Sequence, residues 1–528
     1  MADVVLQGVS SNAPPGVLVQ LDFAQGQSGA PTEVYSAIIL ANITSQGSLS
    51  GFTAGVVVGP DTLVPCQTVQ DAINLCGPGS PAQLLYAAFR QRNKNTPLYI
   101  APVTAASGTA ATQTLTIVAA GGSSQTTGVI QYQVDGKVPA QAVFGASDAA
   151  SLIATNLAAA INGNTLLPVT AAPSSNTVVL TAKVVGARGN NLRGFAQVIS
   201  GSGVTVSPVS PAFFTSGAGS DAAGYTSTMN ALAANGQRYY YYIPEAGMDN
   251  IDGYTNGIAL EVQSQIDTLA LPSVGLRQRA VFGSNDTVAH TAAAVTQIND
   301  ARLEVVQCKN LDLTAGELAA TWAAAIMNFE TVPLGATGVN FDGFGSDSAS
   351  QPFWGVRAPL DGSAPSTSDI QTCVVSGITS LRVGPGGTTN VVKRVTTRYF
   401  TLSGASQVLD LRITDAGKVT ICDRFFDDLS NLVSLRYPRM LIGSDPVSGS
   451  PPALAGVVTP SSVRNTCEEV IQNYASAALI DGPSTLAGLV VQLNNLPIGS
   501  IGIVVPLFVA QPAHLFLIHG LQLPPVVI

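Results

Sequence analysis

Three histidines are spread through 528 residues, and none has a partner at a spacing that chemistry uses. His514 and His519 are five apart in an apolar run that reads as a strand. That spacing puts them on opposite faces, so one metal ion cannot take both without a bulge. His290 falls in a helical pattern on a face that reads as exposed. No H-E-x-x-H pair, G-x-S-x-G elbow or Walker A loop occurs. Gly217, Gly219 and Ala222 fit G-x-G-x-x-A ahead of a helix, the pattern that brings a backbone close to a pyrophosphate. The strand that should precede it is weak, so a turn between domains is the competing reading. Asp427 and Asp428 are neighbours on a helix and diverge by about 100°. They read as a solvated face rather than a carboxylate pair. The six cysteines (Cys66, Cys76, Cys308, Cys373, Cys422, Cys467) are scattered without a C-x-x-C pair and read as buried free thiols of a reducing compartment. No catalytic residue, metal site or cofactor is expected, and the chain does not read as an enzyme.

One charge feature survives. Residues 357–464 hold eleven of the 23 basic groups, against eight Asp and no Glu, in a chain whose net charge is −9. Lys393, Arg394 and Arg398 lie on a strand, and Arg436 and Arg439 at a helix end. They read either as ordinary solvated charge or as a surface for an acidic partner. The acidic total, with a pI near 4.8, argues against a direct grip on nucleic acid.

Only 10% of residues are charged, where ordinary globular proteins have about 25%. A surface so poor in charge suits burial between subunits better than life as a monomer. The two ends sharpen this. No Lys or Arg precedes Arg90, and residues 486–528 contain no charged side chain at all. Val17, Val19 and Leu21 alternate near the start, and Ile501, Ile503 and Val505 near the end, so both ends read as strands. An exposed strand of this kind aggregates unless its own domain or another chain covers it. Residues 498–510 are too few to span a bilayer and include Pro506, so no membrane insertion is expected. The first residues, MADVVLQGVSS, lack a basic and an apolar stretch, so no secretion signal is expected and synthesis in the cytoplasm is.

Between the ends, strands and helices alternate. Ser80-Pro81 opens a helix with Leu84, Leu85, Ala88 and Phe89 inward, followed by a strand at residues 96–101. Residues 113–198 read as strands with one helix at 148–161, bounded by small-residue linkers at 104–111 and 200–220 that read as flexible. The alternation resumes with YYYYI at 239–243, a helix at 251–269, and strands and helices in turn to residue 329. Residues 333–372 read as loop. A long strand is expected at 391–402, then a helix opened by Asp415, with Val419, Cys422, Phe426, Leu429 and Val433 as its stripe. A second helix opens at Thr459-Pro460, and Gly482-Pro483 should stop it.

The order of these stretches resembles the tail sheath proteins of contractile-tailed, Mu-like bacteriophages, over nearly the whole chain. PPGVLVQLDFAQGQSG (14–29) is similar to that family's first strand and turn, and GPGSPAQLLYAAFRQRNKNTPLYIAPV (77–103) to its first helix and strand. Residues 148–194 resemble its inserted β domain. SGITSLRVGPGGTTNVVKRVTTRYF (376–400), RYPRMLIG (436–443) and VVTPSSVRNTCEE (457–469) resemble the opening, helix end and helix start of its C-terminal domain. Residues 333–372 match poorly.

The resemblance implies a structural subunit of a virion, assembled in the host cytoplasm, that stacks with itself in rings around an inner tail tube protein. Baseplate and tail terminator proteins would be further partners. Terminal arms would add strands to neighbours' sheets, and contraction would drive the tube through the host envelope for genome ejection. The implied fold is α/β and α+β, multidomain. It has an N-terminal arm (1–22), a discontinuous α/β domain (23–103 and 216–340) and an inserted β-rich outer domain (104–215). A linker region (341–379), a C-terminal α+β sandwich as inner domain (380–500) and a C-terminal strand or arm (501–528) complete it. Val17, Val19, Leu21, Ile501, Ile503 and Val505 would be the inter-subunit strands. Lys393, Arg394, Arg398, Arg436 and Arg439 would be the tube or neighbour contact. A secreted or cell-wall-acting β-rich enzyme would need a catalytic constellation, and another β-rich virion protein would lack the α/β alternation.

Overall fold

A computed structural model describes residues 36–52, 54–248, 257–271, 274–330, 352–359, 363–384, 387–397, 400–403, 406–409, 415–446, 456–494 and 499–510. Val17, Val19, Leu21, Arg398, His514 and His519 lie outside the described residues. Among those described, the chain is a mixed α/β protein with several sheets and eleven helices.

The first elements are β1 (Ala37–Asn42), α1 (Val69–Cys76), α2 (Pro81–Arg92) and β2 (Leu98–Val103). The chain then builds β3 (Ala110–Ala119), β4 (Gly128–Val134), β5 (Ala140–Phe144), α3 (Ala150–Gly163), β6 (Val169–Ser174) and β7 (Thr177–Val185). β8 (Arg193–Ser200), β9 (Val204–Ser207) and β10 (Ala212–Phe213) follow. Alternation returns with α4 (Ala222–Asn235), β11 (Tyr241–Pro244), α5 (Ile258–Ala270), β12 (Arg279–Ser284), α6 (Val288–Ile298), β13 (Leu303–Gln307) and α7 (Ala315–Glu330). Next come β14 (Pro352–Arg357), α8 (Thr367–Val375), β15 (Thr379–Val383), β16 (Thr388–Lys393), β17 (Phe400–Ser403) and β18 (Ser406–Leu409). The last are α9 (Ala416–Arg436), β19 (Leu441–Ile442), β20 (Val457–Val458), α10 (Pro460–Ser476), α11 (Gly482–Ala487), β21 (Val490–Asn494) and β22 (Ser500–Val504).

An eight-stranded sheet, ordered β14-β16-β15-β13-β12-β11-β1-β2, is the middle layer. It is parallel from β15 to β2, with β16 and β14 antiparallel at one edge. A parallel strand covered on both faces must be apolar throughout, and AIILAN in β1 is. Ala37, Ile39 and Ala41 pack with α1, α2 and α7, while Ile38 and Leu40 pack with α4, α5 and α6. The tyrosine run splits the same way. Tyr240 and Tyr241 face the first helix layer, and Tyr239 and Tyr242 the second, where Tyr239 meets Tyr99 edge-on at 5.3 Å. α2 starts as its sequence requires: Ser80 accepts from the Gln83 N–H, and Pro81 needs no partner for a missing donor.

The chain leaves this sheet after β2 and returns at β11. Between them β3 to β10 form two four-stranded sheets, β6-β7-β3-β9 and β10-β8-β4-β5, around a core of their own that includes Ile153, Leu157 and Ile161 of α3. The stretches on either side of this unit are paired rather than slack. Thr109 bridges Ala218, Thr112 bridges Thr215, and the Ala187 N–H donates to the Gly219 carbonyl at 3.0 Å. The flexible linkers expected at 104–111 and 200–220 are therefore corrected: 109–112 and 215–218 bridge each other as a short ribbon against the unit, and β9 and β10 lie within 200–220.

Other expectations change as well. β15 and β16 belong to the large sheet, because β15 pairs in parallel with β13 through Val306↔Thr379 and Gln307↔Ser380. They do not open a separate C-terminal sandwich. The long strand at 391–402 is broken after Lys393. The Thr397 N–H and hydroxyl bond the Leu303 and Asp300 carbonyls at 3.0 and 2.6 Å, which turns the chain out of the ladder. The 333–372 stretch contains β14 and the start of α8, which opens on a capping box of Ser366 and Asp369. α10 ends at Ser476, and Pro483 opens α11 instead of stopping α10, with Asp481 accepting from the Ser484 N–H. All six cysteines are buried and free.

Candidate assembly interface

β21 and β22 form an antiparallel hairpin with Leu493 opposite Ile501 and Val491 opposite Ile503. Among the described residues it is a sheet of two strands. Ile501 and Ile503 lean on the core made by α9 and α10, and Val505 is buried in it. The alternation seen in the sequence is therefore spent inward. The half-exposed side chains of Leu493 and Val504 flank its backbone edges. That is the arrangement strand addition uses: main-chain groups bind, and the apolar side chains hold the acceptor strand in place. Beyond β22 the chain crosses back, bridging Ile480 to Val509, and Ala510 donates to the Leu479 carbonyl at 2.9 Å.

The basic residues divide. Arg436 lies at the end of α9 and makes a surface pair with Glu469 at 2.7 Å. Arg439 is exposed, in the left-handed region at φ 53°, with Leu435 and Leu441 exposed on either side of it. Lys393 is partly covered, 3.7 Å from Asp415. Arg394 is corrected outright: it is 2% exposed and ion-paired with Glu304 at 2.6 and 2.9 Å, so no partner chain reaches it.

That pair is part of a buried seam the sequence reading missed. Arg279 joins Glu304 at 3.3 Å and donates to the Thr420 hydroxyl at 2.6 Å and the Ala416 carbonyl at 2.7 Å. Arg302 takes Asp423 in a two-pronged bond at 2.8 and 3.0 Å. Asp427 receives Arg277 and, at 2.7 Å, Arg238. Asp427 is thus a buried anchor, not part of a solvated face, while the neighbouring Asp428 accepts from the Tyr474 hydroxyl. Burial pushes the Glu304 and Asp423 carboxyls up, but the facing guanidiniums outweigh it and hold both below the ordinary carboxylate range. For Asp427 burial wins, and its carboxyl is held above that range. The signal was present in outline. Ala416, Thr420, Asp423 and Asp427 recur at helical spacing, and Arg277, Arg279 and Arg302 sit at the starts of β12 and β13. α9 therefore crosses the amino ends of the parallel strands on a polar stripe. Its other side, through Phe425 and Leu429, packs with α10.

The G-x-G-x-x-A stretch forms no nucleotide loop. Gly219, at φ 108°, lies where an added Cβ would sit 2.3 Å from the Ser107 carbonyl oxygen, so its glycines serve the crossing of the ribbon. Among the described residues no group of three or more His, Cys, Asp or Glu could hold a metal ion, and no helix is long and apolar enough to cross a membrane.

No family model matches the sequence, and no curated protein does. Solved structures do. The chain is similar to one from the baseplate of the anti-feeding prophage (TM-score 0.46, 10% identity, covering 97% of this chain and 99% of that one). It is also similar to the helical sheath of the anti-feeding prophage in the contracted state (0.48, 11%, 96% and 99%). A third is the contracted PVC sheath complex of an extracellular contractile injection system (0.43, 10%, 97% and 99%).

Proposed function

We propose that this chain is the sheath subunit of a contractile injection apparatus of the phage-tail kind. It polymerises with itself, helically, around an inner tube, and contracts to drive that tube through an envelope. What supports the reading is the β21–β22 hairpin, a sheet of two strands among the described residues, in which Ile501, Ile503 and Val505 are committed to the hairpin's own core. The terminal segments that would add strands to it are the ones without Lys or Arg: residues 1–35 and 511–528. A shared strand of about six residues supplies roughly four to six ladder bonds of about 0.5–1.5 kcal/mol each. Repeated at every subunit, such links hold a stack together.

In this arrangement the unit at 104–215 faces outward and the α9–α10 unit inward, since the two attach at opposite ends of the eight-stranded sheet. In this reading contraction releases energy stored at assembly. The test is electron microscopy of purified full-length protein and of two truncations. Removing residues 502–528 would take Val505 and Leu507 out of the core, so the informative cut follows Ala510. Loss of residues 1–11, or of 511–528, should abolish helical tubes while leaving a folded monomer. Tubes like the wild type's from both would overturn the strand-exchange reading.

A further inference from the structure

In an open α/β sheet, ligands bind at the carboxyl ends of the strands, where successive connections depart in opposite directions. Here that point lies between β1 and β11: the chain runs from β1 to β2 on one side, then returns to β11 on the other. Asn42 ends β1 and Glu245 follows β11, and the Asn42 N–H donates to the Glu245 carboxylate at 2.8 Å. The crevice is not open. Arg188, from the 3-10 turn after β7, enters it and meets Glu245 at 2.9 Å. The same guanidinium meets Asp221, the residue before α4, with the second carboxylate oxygen at 2.7 Å. It also lies over the Tyr225 ring at 5.5 Å. The Tyr225 hydroxyl donates to the Leu40 carbonyl of β1 at 3.0 Å and accepts from the Ala246 N–H at 3.3 Å. Arg188, Asp221 and Glu245 are 13%, 5% and 10% exposed.

We propose that Arg188 is a built-in ligand: its guanidinium occupies the sheet's binding crevice and thereby locks the β3–β10 unit to the eight-stranded sheet as one body. Two features make it more than an ordinary surface pair. The guanidinium answers two carboxylates from separate segments, Asp221 on the return path of the chain and Glu245 at the sheet, so neither is left uncompensated in a dry site. Its planar fork divides between them, Nη2 reaching both oxygens of Asp221 and Nη1 meeting Glu245, a fixed span that the single ammonium of a lysine does not reproduce. The ribbon beside it depends on the same contact. The Gly186 and Ala187 N–H groups, next to Arg188, donate to the Thr109 and Gly219 carbonyls at 3.2 and 3.0 Å. The site is thus a guanidinium-binding crevice that the chain fills itself, and this holds whether or not the protein forms a sheath.

The test is amide hydrogen exchange on the full chain. In Arg188→Ala, the amides of Thr109, Gly186, Ala187 and Ala218 should exchange faster by a factor on the order of a hundred, with β1 unchanged. Millimolar guanidinium chloride should slow them again by refilling the crevice, and ammonium chloride at the same concentration should not. Unchanged ribbon exchange in Arg188→Ala, or equal effects of the two salts, would overturn the proposal. If Arg188→Ala does not fold, Arg188→Lys is read in the same way. Its ribbon should be loosened to an intermediate degree, and full protection in the lysine variant would equally overturn it.

Discussion

Asp135 shows how far a single side chain can depart from its ordinary behaviour in this chain. It sits in the turn after β4, 1% exposed, where its carboxylate accepts from the Arg193 N–H at 3.2 Å. Tyr132 and Lys137 face it from its own segment, Arg193 from β8 and Glu317 from α7. Burial pushes its pKa from 3.8 to about 7, against the partial pull of Arg193 and Lys137. The folded state therefore holds the proton more tightly than the unfolded one. Stability is full below 3.8, falls as pH rises towards about 7, and levels off above. Asp135→Asn keeps an acceptor and tolerates the φ of 40°. It should flatten melting temperature against pH across that window, where the slope is otherwise up to about 1.4 kcal/mol per pH unit. An unchanged profile would rule Asp135 out as its source. Arg436 and Arg439 are the residues to test for the tube contact. The exposed Arg436–Glu469 pair contributes about 0–1 kcal/mol, so reversing both charges should leave the monomer folded. Extended sheath should then fail to form on tube, or contract early. Extended tails with unchanged salt tolerance would mark both arginines as plain solvated surface.

At the scale of elements, α9 matters most because it belongs to two cores at once. Its apolar side is held by α10 and its polar stripe by the arginines at the amino ends of β12 and β13. Asp423→Ala would take from the buried Arg302 its two-pronged carboxylate partner, a loss of about 3–5 kcal/mol. Thr459→Ala removes only the capping box of α10, about 1 kcal/mol. Chemical denaturation of the two variants should rank them in that order, and the reverse order would mean the seam is filled by water rather than sealed. Because the Asp423 and Glu304 carboxyls are held low, their contribution is present above the ordinary carboxylate range and fades as pH falls through their folded values.

Over the whole molecule, the large sheet carries one unit at each end. The β3–β10 unit hangs from the carboxyl end through Arg188 and the Lys137–Glu317 pair, and the α9–α10 unit from the amino end through the seam. Replacing residues 104–215 by a short Gly-Ser bridge should leave rings that still stack, because the unit has its own core and sheets. The excised chain also loses Arg188, the positive charge that answers Glu245, so it should be less stable than its parent. Adding Glu245→Gln should recover part of that stability. Folded protein that no longer assembles would place the unit inside the lattice instead.

What the sequence determined by itself was everything governed by neighbours along the chain. Ser80-Pro81 and Thr459-Pro460 start helices because caps act over three residues. Buried cysteines were equally legible, but the stripe expected on α9 was only partly right. Phe426, Leu429 and Val433 face the α10 core with Ile421 and Phe425, while Val419 packs against Ala301, because the amino-terminal half of the helix is buried all round. The resemblance to sheath proteins added an order of elements that no single stretch carries. Tertiary structure alone decided where charges go. Arg394, Asp427 and Arg188 look like surface residues in a list, because a charge advertises its need for a partner but not the partner's place. Glu304, Arg238 and Glu245 are 90, 189 and 57 positions away respectively, and only the closed sheet brings them within bonding distance. The same holds for β15, which joins β13 through two residue pairs that no local pattern could have announced.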